Sequence, residues 1–141
     1  MGAIGLENLP EQALLLVDSS PIIYVLENRP DFAPRYSRLF EAHEEGRLHL
    51  AITTVTVAEV LTGPMRSGDK ALERRYRTVI DSWRTIPFDF AIAESAARLR
   101  ASLNFKLPDA IQAASALAIN ADALVTHDRD FSRLKALRII S

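Results

Sequence analysis

The sequence contains no cysteine, which removes disulfide scaffolds, thiolate zinc sites and cysteine nucleophiles together. Net charge is almost as scarce: 17 Lys and Arg stand against 18 Asp and Glu, for −1 overall. Nothing global therefore marks a polyanion binder, and any nucleic-acid contact must come from a local patch. Long apolar runs are missing as well. The longest, Ala13–Val17, is far below the ~20 residues that a membrane span needs. No basic segment precedes it as in a signal peptide. Met1-Gly2 lacks the Ser or Thr at position six that myristoylation wants, because Leu6 stands there. A cytoplasmic protein with no membrane attachment is expected. The three histidines, His43, His49 and His127, form no pair at metal-ligand spacing, and no 20–50-residue period recurs as in repeat proteins.

What remains is enough for one compact domain: 141 residues, 48% of them hydrophobic. Residues 1–12 read as an N-terminal extension and 13–141 as the domain. Ala13–Val17 has the unbroken apolar character of a strand buried on both faces. Ser20-Pro21 reads as a helix start, with Ser20 as the cap and Pro21 at the first helical position, opening a helix to Glu27. Further helices are predicted over 34–45, 54–63, 69–83, 90–103 and 108–119, the last apolar nearly all round and hence buried. Strands are predicted over 48–53, 85–88, 123–126 and 137–140. This alternation indicates an α/β domain with a mostly parallel sheet. Ligands in such sheets sit beyond the carboxyl ends of strands, near the point where strand order reverses.

Four acids depart from the solvated pattern of the rest. Asp18 follows four aliphatic residues, Glu59 lies inside an apolar helix, Asp109 heads the buried helix, and Asp128 follows Leu124-Val125-Thr126. A carboxylate beside a core is costly unless paired, protonated or metal-bound. Each also has an ordinary explanation. Asp18 can cap a helix, a job that Ser20 fills better. Glu59 can close a capping box with Thr56, Asp109 can favour its helix dipole, and Asp128 can be a turn residue. The ordinary explanations do not account for all four near one end of one sheet. Clustered carboxylates without cysteine or paired histidine suit a hard divalent ion, Mg²⁺ or Mn²⁺, rather than zinc. His127, beside Asp128, reads as a surface turn residue.

The segments Val17-Asp18-Ser19-Ser20-Pro21-Ile22-Ile23-Tyr24, Ala58-Glu59-Val60, Leu107-Pro108-Asp109-Ala110-Ile111-Gln112 and Val125-Thr126-His127-Asp128-Arg129-Asp130-Phe131 together resemble the PIN-domain family. The likeness is greatest to VapC-type toxin ribonucleases of toxin–antitoxin pairs, and it runs from about Ala13 to the C terminus. It implies a single α/β domain with a parallel sheet of about five strands flanked by helices. It also implies a homodimer and RNA cleavage by metal-activated water. By position, Asp18, Glu59, Asp109 and Asp128 match the four acids, with Asp18, Asp109 and Asp128 as metal ligands. Ser19 matches the small hydroxyl residue after the first acid, and Thr126 the threonine two before the last. His127 departs from the Asn or Arg common before the last acid. Asp130 is a second candidate for that acid, less well spaced from Thr126, so Asp128 is expected to matter more.

Substrate holding is less sharply marked. Residues 66–77 carry five basic side chains against two acidic ones, and Arg66, Lys70 and Arg74 are the candidates for steering an RNA backbone. The alternative there is a solvated helix laced with ion pairs. Tyr24, Phe32 and Tyr36 are candidates for base stacking, or for core or dimer contacts. Two rival functions stay open. One is an inactive PIN-like module that binds RNA or protein, although such modules usually lack an acid. The other is a phosphoaspartate-type phosphatase, although that class wants a second acid where Ser20 stands. The partners implied are an RNA substrate and a cognate antitoxin chain.

Overall fold

The computed structural model describes residues 8–141. Residues 1–7 of the expected extension lie outside that range. Among the described residues, five strands and six α-helices follow in the order β1 (Ala13–Val17), α1 (Ser19–Leu26), α2 (Ala33–Glu44), β2 (Leu48–Thr53), α3 (Thr54–Ser67), α4 (Lys70–Asp81), β3 (Arg84–Ile86), α5 (Phe90–Leu103), α6 (Leu107–Ala118), β4 (Ala123–Val125) and β5 (Ile139–Ile140). A short 3-10 turn, Arg129–Arg133, lies between β4 and β5.

All strand pairings are parallel, in the spatial order β3-β2-β1-β4-β5. β1 is central, which explains its unbroken apolar run, because both faces and both edges are covered. Successive side chains alternate between two cores. Leu15 and Val17 of β1, Leu48, Leu50 and Ile52 of β2, and Ala123 and Val125 of β4 face α1 to α4, packing with Ile22, Tyr36, Leu39, Val60 and Tyr76. Leu16, Ala51 and Leu124 face the other way, against Ile92 and Ala96 of α5 and Ala110, Ala113 and Ala114 of α6. Alanines on α6 let that helix lie close to the sheet. The edge strands are short: β3 is Arg-Thr-Ile and β5 only Ile139–Ile140.

The chain walks outward from β1 to β3 and then returns to place β4 on the other side of β1. The carboxyl ends of β1 and β4 thus meet at the reversal point, and the pairing continues one step further through Asp18 N–H to Val125 O at 2.9 Å.

Two expectations need correction here. Asp18, not Ser20, caps α1: its backbone is extended (φ −73°, ψ 167°) and its carboxylate accepts the Ser19 N–H, so the helix begins one residue after the strand ends. Helix α3 does not stop at Gly63 but continues to Ser67. Pro64 is accommodated within it, and Gly68, at φ 73°, supplies the left-handed residue that ends it.

Candidate metal centre

Asp18 stands where β1 gives way to α1. Its Oδ1 accepts from Ser19 N at 2.9 Å and from Gln112 Nε2 at 2.8 Å, and its Oδ2 accepts from Thr126 Oγ1 at 2.8 Å. A carboxylate offers about four lone-pair positions, so one remains, on Oδ2. Thr126 is fully buried at the end of β4. While its hydroxyl donates to Asp18, it accepts the Asp128 N–H at 3.0 Å. One side chain thereby ties two acids together.

Asp128 caps the 3-10 turn that follows, accepting the Asp130 N–H at 2.8 Å. That turn folds Asp130 back toward the helix α6. Carboxylate oxygens of Asp109, Asp128 and Asp130 lie within 4.8 Å of one another. Asp18 does not join this trio, although its charge still reaches it. Asp109, partly buried in the first turn of α6, has its pKa pushed up to about 6. Burial is the largest cause, followed by the charges of Asp128, Asp18 and Asp130, with Lys106 opposing them. Glu59 is raised by partial burial of its carboxyl, then by Asp18; Ser19 acts against this by hydrogen bonding, and Asp109 adds to the rise. Four of the sequence-derived acids and Asp130 therefore share one electrostatic neighbourhood.

Oxygen-only donors of this kind fit a hard divalent ion. Opposite ligands around an ion at ~2.1 Å are ~4.2 Å apart, close to the span of the trio. The ordinary explanations fare unevenly. Glu59 closes no capping box, because the cap of α3 is Thr53, whose hydroxyl accepts from Thr56 N at 3.0 Å. Asp109 does stand where a helix dipole favours it, and Asp128 does serve a turn.

Gln112 was not singled out from sequence. It is 2% exposed, and besides Asp18 its Nε2 reaches Thr56 Oγ1 at 2.6 Å while its Oε1 accepts from Thr53 Oγ1 at 3.0 Å. The available signal was an amide inside the otherwise apolar, buried run 110–116.

His127 is not a free turn residue. Tyr36 Oη lies 3.2 Å from its Nδ1, and its ring meets Tyr24 and Phe32 edge-on at 5.7 and 5.0 Å. Tyr24 stacks on Phe32 at 4.6 Å, and Tyr36 is wholly buried. These aromatics are packing partners that anchor the strand end bearing Asp128.

Arg66, Lys70 and Arg74 are exposed. Lys70 lies 4.0 Å from Glu73, which also pairs with Arg77 at 3.3 Å. Arg66 follows Glu59 by seven residues on α3, which puts it on the same face about 10 Å along the axis.

The family model for the PIN domain matches residues 15–137. Among curated proteins, none matches in sequence. Among solved structures, a toxin–antitoxin complex from Klebsiella pneumoniae is 26% identical with a TM-score of 0.71, covering 90% of this chain and 96% of that one. VapBC2 from Rickettsia felis, bound to a promoter DNA fragment, is 22% identical with a TM-score of 0.73, covering 89% and 96%. VapC20 of Mycobacterium tuberculosis, a sarcin–ricin-loop-cleaving toxin, is 16% identical with a TM-score of 0.70, covering 86% and 95%. The last two show likeness of fold alone.

Proposed function

The chain belongs to the PIN-domain family, and on that premise we propose that it is a divalent-metal-dependent endoribonuclease, the toxin of a toxin–antitoxin pair. The observation that carries the reading is the trio of carboxylates within 4.8 Å at the sheet's reversal point, with Asp109 driven up to about 6. Burial of a carboxyl, added to repulsion from its neighbours, is what a bound cation offsets. Asp18, Asp109 and Asp128 hold Mg²⁺ or Mn²⁺, Asp130 supports them, and Glu59 acts through water or takes up a proton. When bound, the ion neutralises charge on the phosphoryl group and makes water a stronger nucleophile. Ser19 and Thr126 hold the carboxylates in place. Arg66, Lys70 and Arg74 steer the RNA backbone.

A toxin role is supported by the Klebsiella neighbour, which is a toxin–antitoxin complex. The protein then acts in the cytoplasm as a homodimer, with the antitoxin as a separate chain and the PIN domain spanning residues 13–141 after a short extension. No described helix is long and apolar enough to cross a membrane.

The test is incubation of purified protein with RNA in Mn²⁺, Mg²⁺ or EDTA, alongside Asp18→Asn, Asp109→Asn and Asp128→Asn. Cleavage is expected only with metal and is nearly abolished in each variant. Cleavage that persists in EDTA, or is unchanged in two of the three variants, refutes the assignment.

A further inference from the structure

Four elements carry the acids of this site, and one buried amide joins three of them: the end of β1, α3 and α6. Gln112 lies three residues after Asp109, so it shares that residue's face of α6. It reaches Asp18 Oδ1 at the end of β1, and it reaches Thr56 Oγ1, three residues before Glu59 on α3. Thr53, the α3 cap, donates to Gln112 Oε1 at 3.0 Å and lies 3.2 Å from Thr56 Oγ1. An ionised carboxylate only accepts, which fixes the direction of the amide: nitrogen toward Asp18, oxygen toward Thr53. With Ser19 N on the same oxygen, Oδ1 of Asp18 is fully engaged. The open lone-pair position is on Oδ2.

We propose that Gln112 is a positioning residue for the metal centre: it saturates Oδ1 of Asp18, so that only Oδ2 is offered to a cation, and it ties α6, which bears Asp109, to the end of β1. The inference rests on the metal-dependent reading above. Partners that orient a metal ligand typically contribute 10–100-fold to metal affinity. A residue that merely stabilises the fold contributes to melting but not selectively to metal binding.

The experiment compares the full chain with Gln112→Met, nearly equal in volume but without the amide, and with Thr56→Val, which removes a neighbour in the same buried network but leaves the Gln112–Asp18 bond. Mn²⁺ affinity is measured by calorimetric titration, and melting temperature in EDTA separately. Gln112→Met is expected to weaken Mn²⁺ binding about 10–100-fold, whereas Thr56→Val lowers the melting temperature with less than about a threefold change in affinity. If Gln112→Met does not fold, Gln112→Asn carries the test, since it keeps the amide but falls one methylene short. Parent-like Mn²⁺ affinity in the Gln112 variant, or an equal loss in Thr56→Val, overturns the positioning role while leaving the metal reading intact. A parent that binds no Mn²⁺ refutes that reading, and the positioning role with it.

Discussion

Replacing Asp109 with asparagine separates a metal ligand from a helix-start residue, because the two roles predict opposite changes in stability. The carboxyl rises from 3.8 to about 6 in the folded chain, a difference equivalent to about 3 kcal/mol of penalty on the ionised form. Solvent contact of a partly buried group reduces this to about 1–2 kcal/mol. Asparagine removes that penalty but forfeits a charge–dipole interaction of ~0.3–1 kcal/mol at the start of α6. The net gain is about 1 kcal/mol, or about 3 °C in melting temperature for a domain of this size. Since the folded value lies above the unfolded one, the stability from protonated Asp109 is fully present below about 3.8 and lost as pH rises through about 6. The advantage of Asp109→Asn is therefore full at pH 7.5, falls by about half at pH 5, and vanishes near pH 4. Mn²⁺ at about 100 times its dissociation constant stabilises the parent by about 2.7 kcal/mol, with a smaller gain in the variant, so their order reverses. The assay is thermal melting of both proteins at pH 7.5 and pH 5, in EDTA and in Mn²⁺. A variant that is less stable than the parent in EDTA and responds equally to Mn²⁺ makes Asp109 a helix-start residue and refutes its place in the metal site.

Asp128→Ala should reduce RNA cleavage more than Asp130→Ala, since it removes both its own oxygens and the cap that folds Asp130 toward Asp109; equal losses in initial rate would show that the two acids contribute alike. Thr126→Val should cost about 1–3 kcal/mol by leaving the Asp128 N–H without its partner, with cleavage falling too, whereas Thr126→Ser, which keeps the hydroxyl, should restore most of both. A valine variant that melts and cleaves like the parent would refute the bridging role.

The layout of the fold was legible because its signals are periodic and local. β1 shows its central place through an apolar run without alternation, α6 shows its burial through alanines all round, and reversal of strand order directs attention to the ends of β1 and β4. The helix ends were less legible for a physical reason. Ser20-Pro21 satisfies every local preference for a helix start, yet Asp18 takes the cap because the β1–β4 pairing runs on through its N–H to Val125 O, leaving the chain no spare residue before α1. At the other error, Gly63 resembles a stop, but Gly68 holds the positive φ that ends α3. Propensity supplied two possible stops; Gly63 stays inside α3, followed by the buried Pro64, and the left-handed backbone falls at Gly68.

Within the site, the acids stood out because each conflicts with its apolar surroundings, and such conflicts gather where a chain gives up stability for function. Gln112 did not stand out, and Asp130 stood only as a second candidate for the last acid. An amide among alanines carries no charge to signal a cost, and its value depends on meeting Asp18, 94 residues away in sequence. Asp130 enters the cluster only through the turn capped by Asp128, a geometry that spacing from Thr126 does not convey. Asp18 shows why weighing an ordinary role against a catalytic one is a false choice. The same carboxylate caps α1 through Oδ1 and faces Thr126 through Oδ2, so the hydrogen bonds that settle the helix start also settle which oxygen is left for a cation. Local structure and the geometry of the proposed metal site are then one constraint. Loss of Gln112 should consequently be felt in metal affinity before it is felt in the fold.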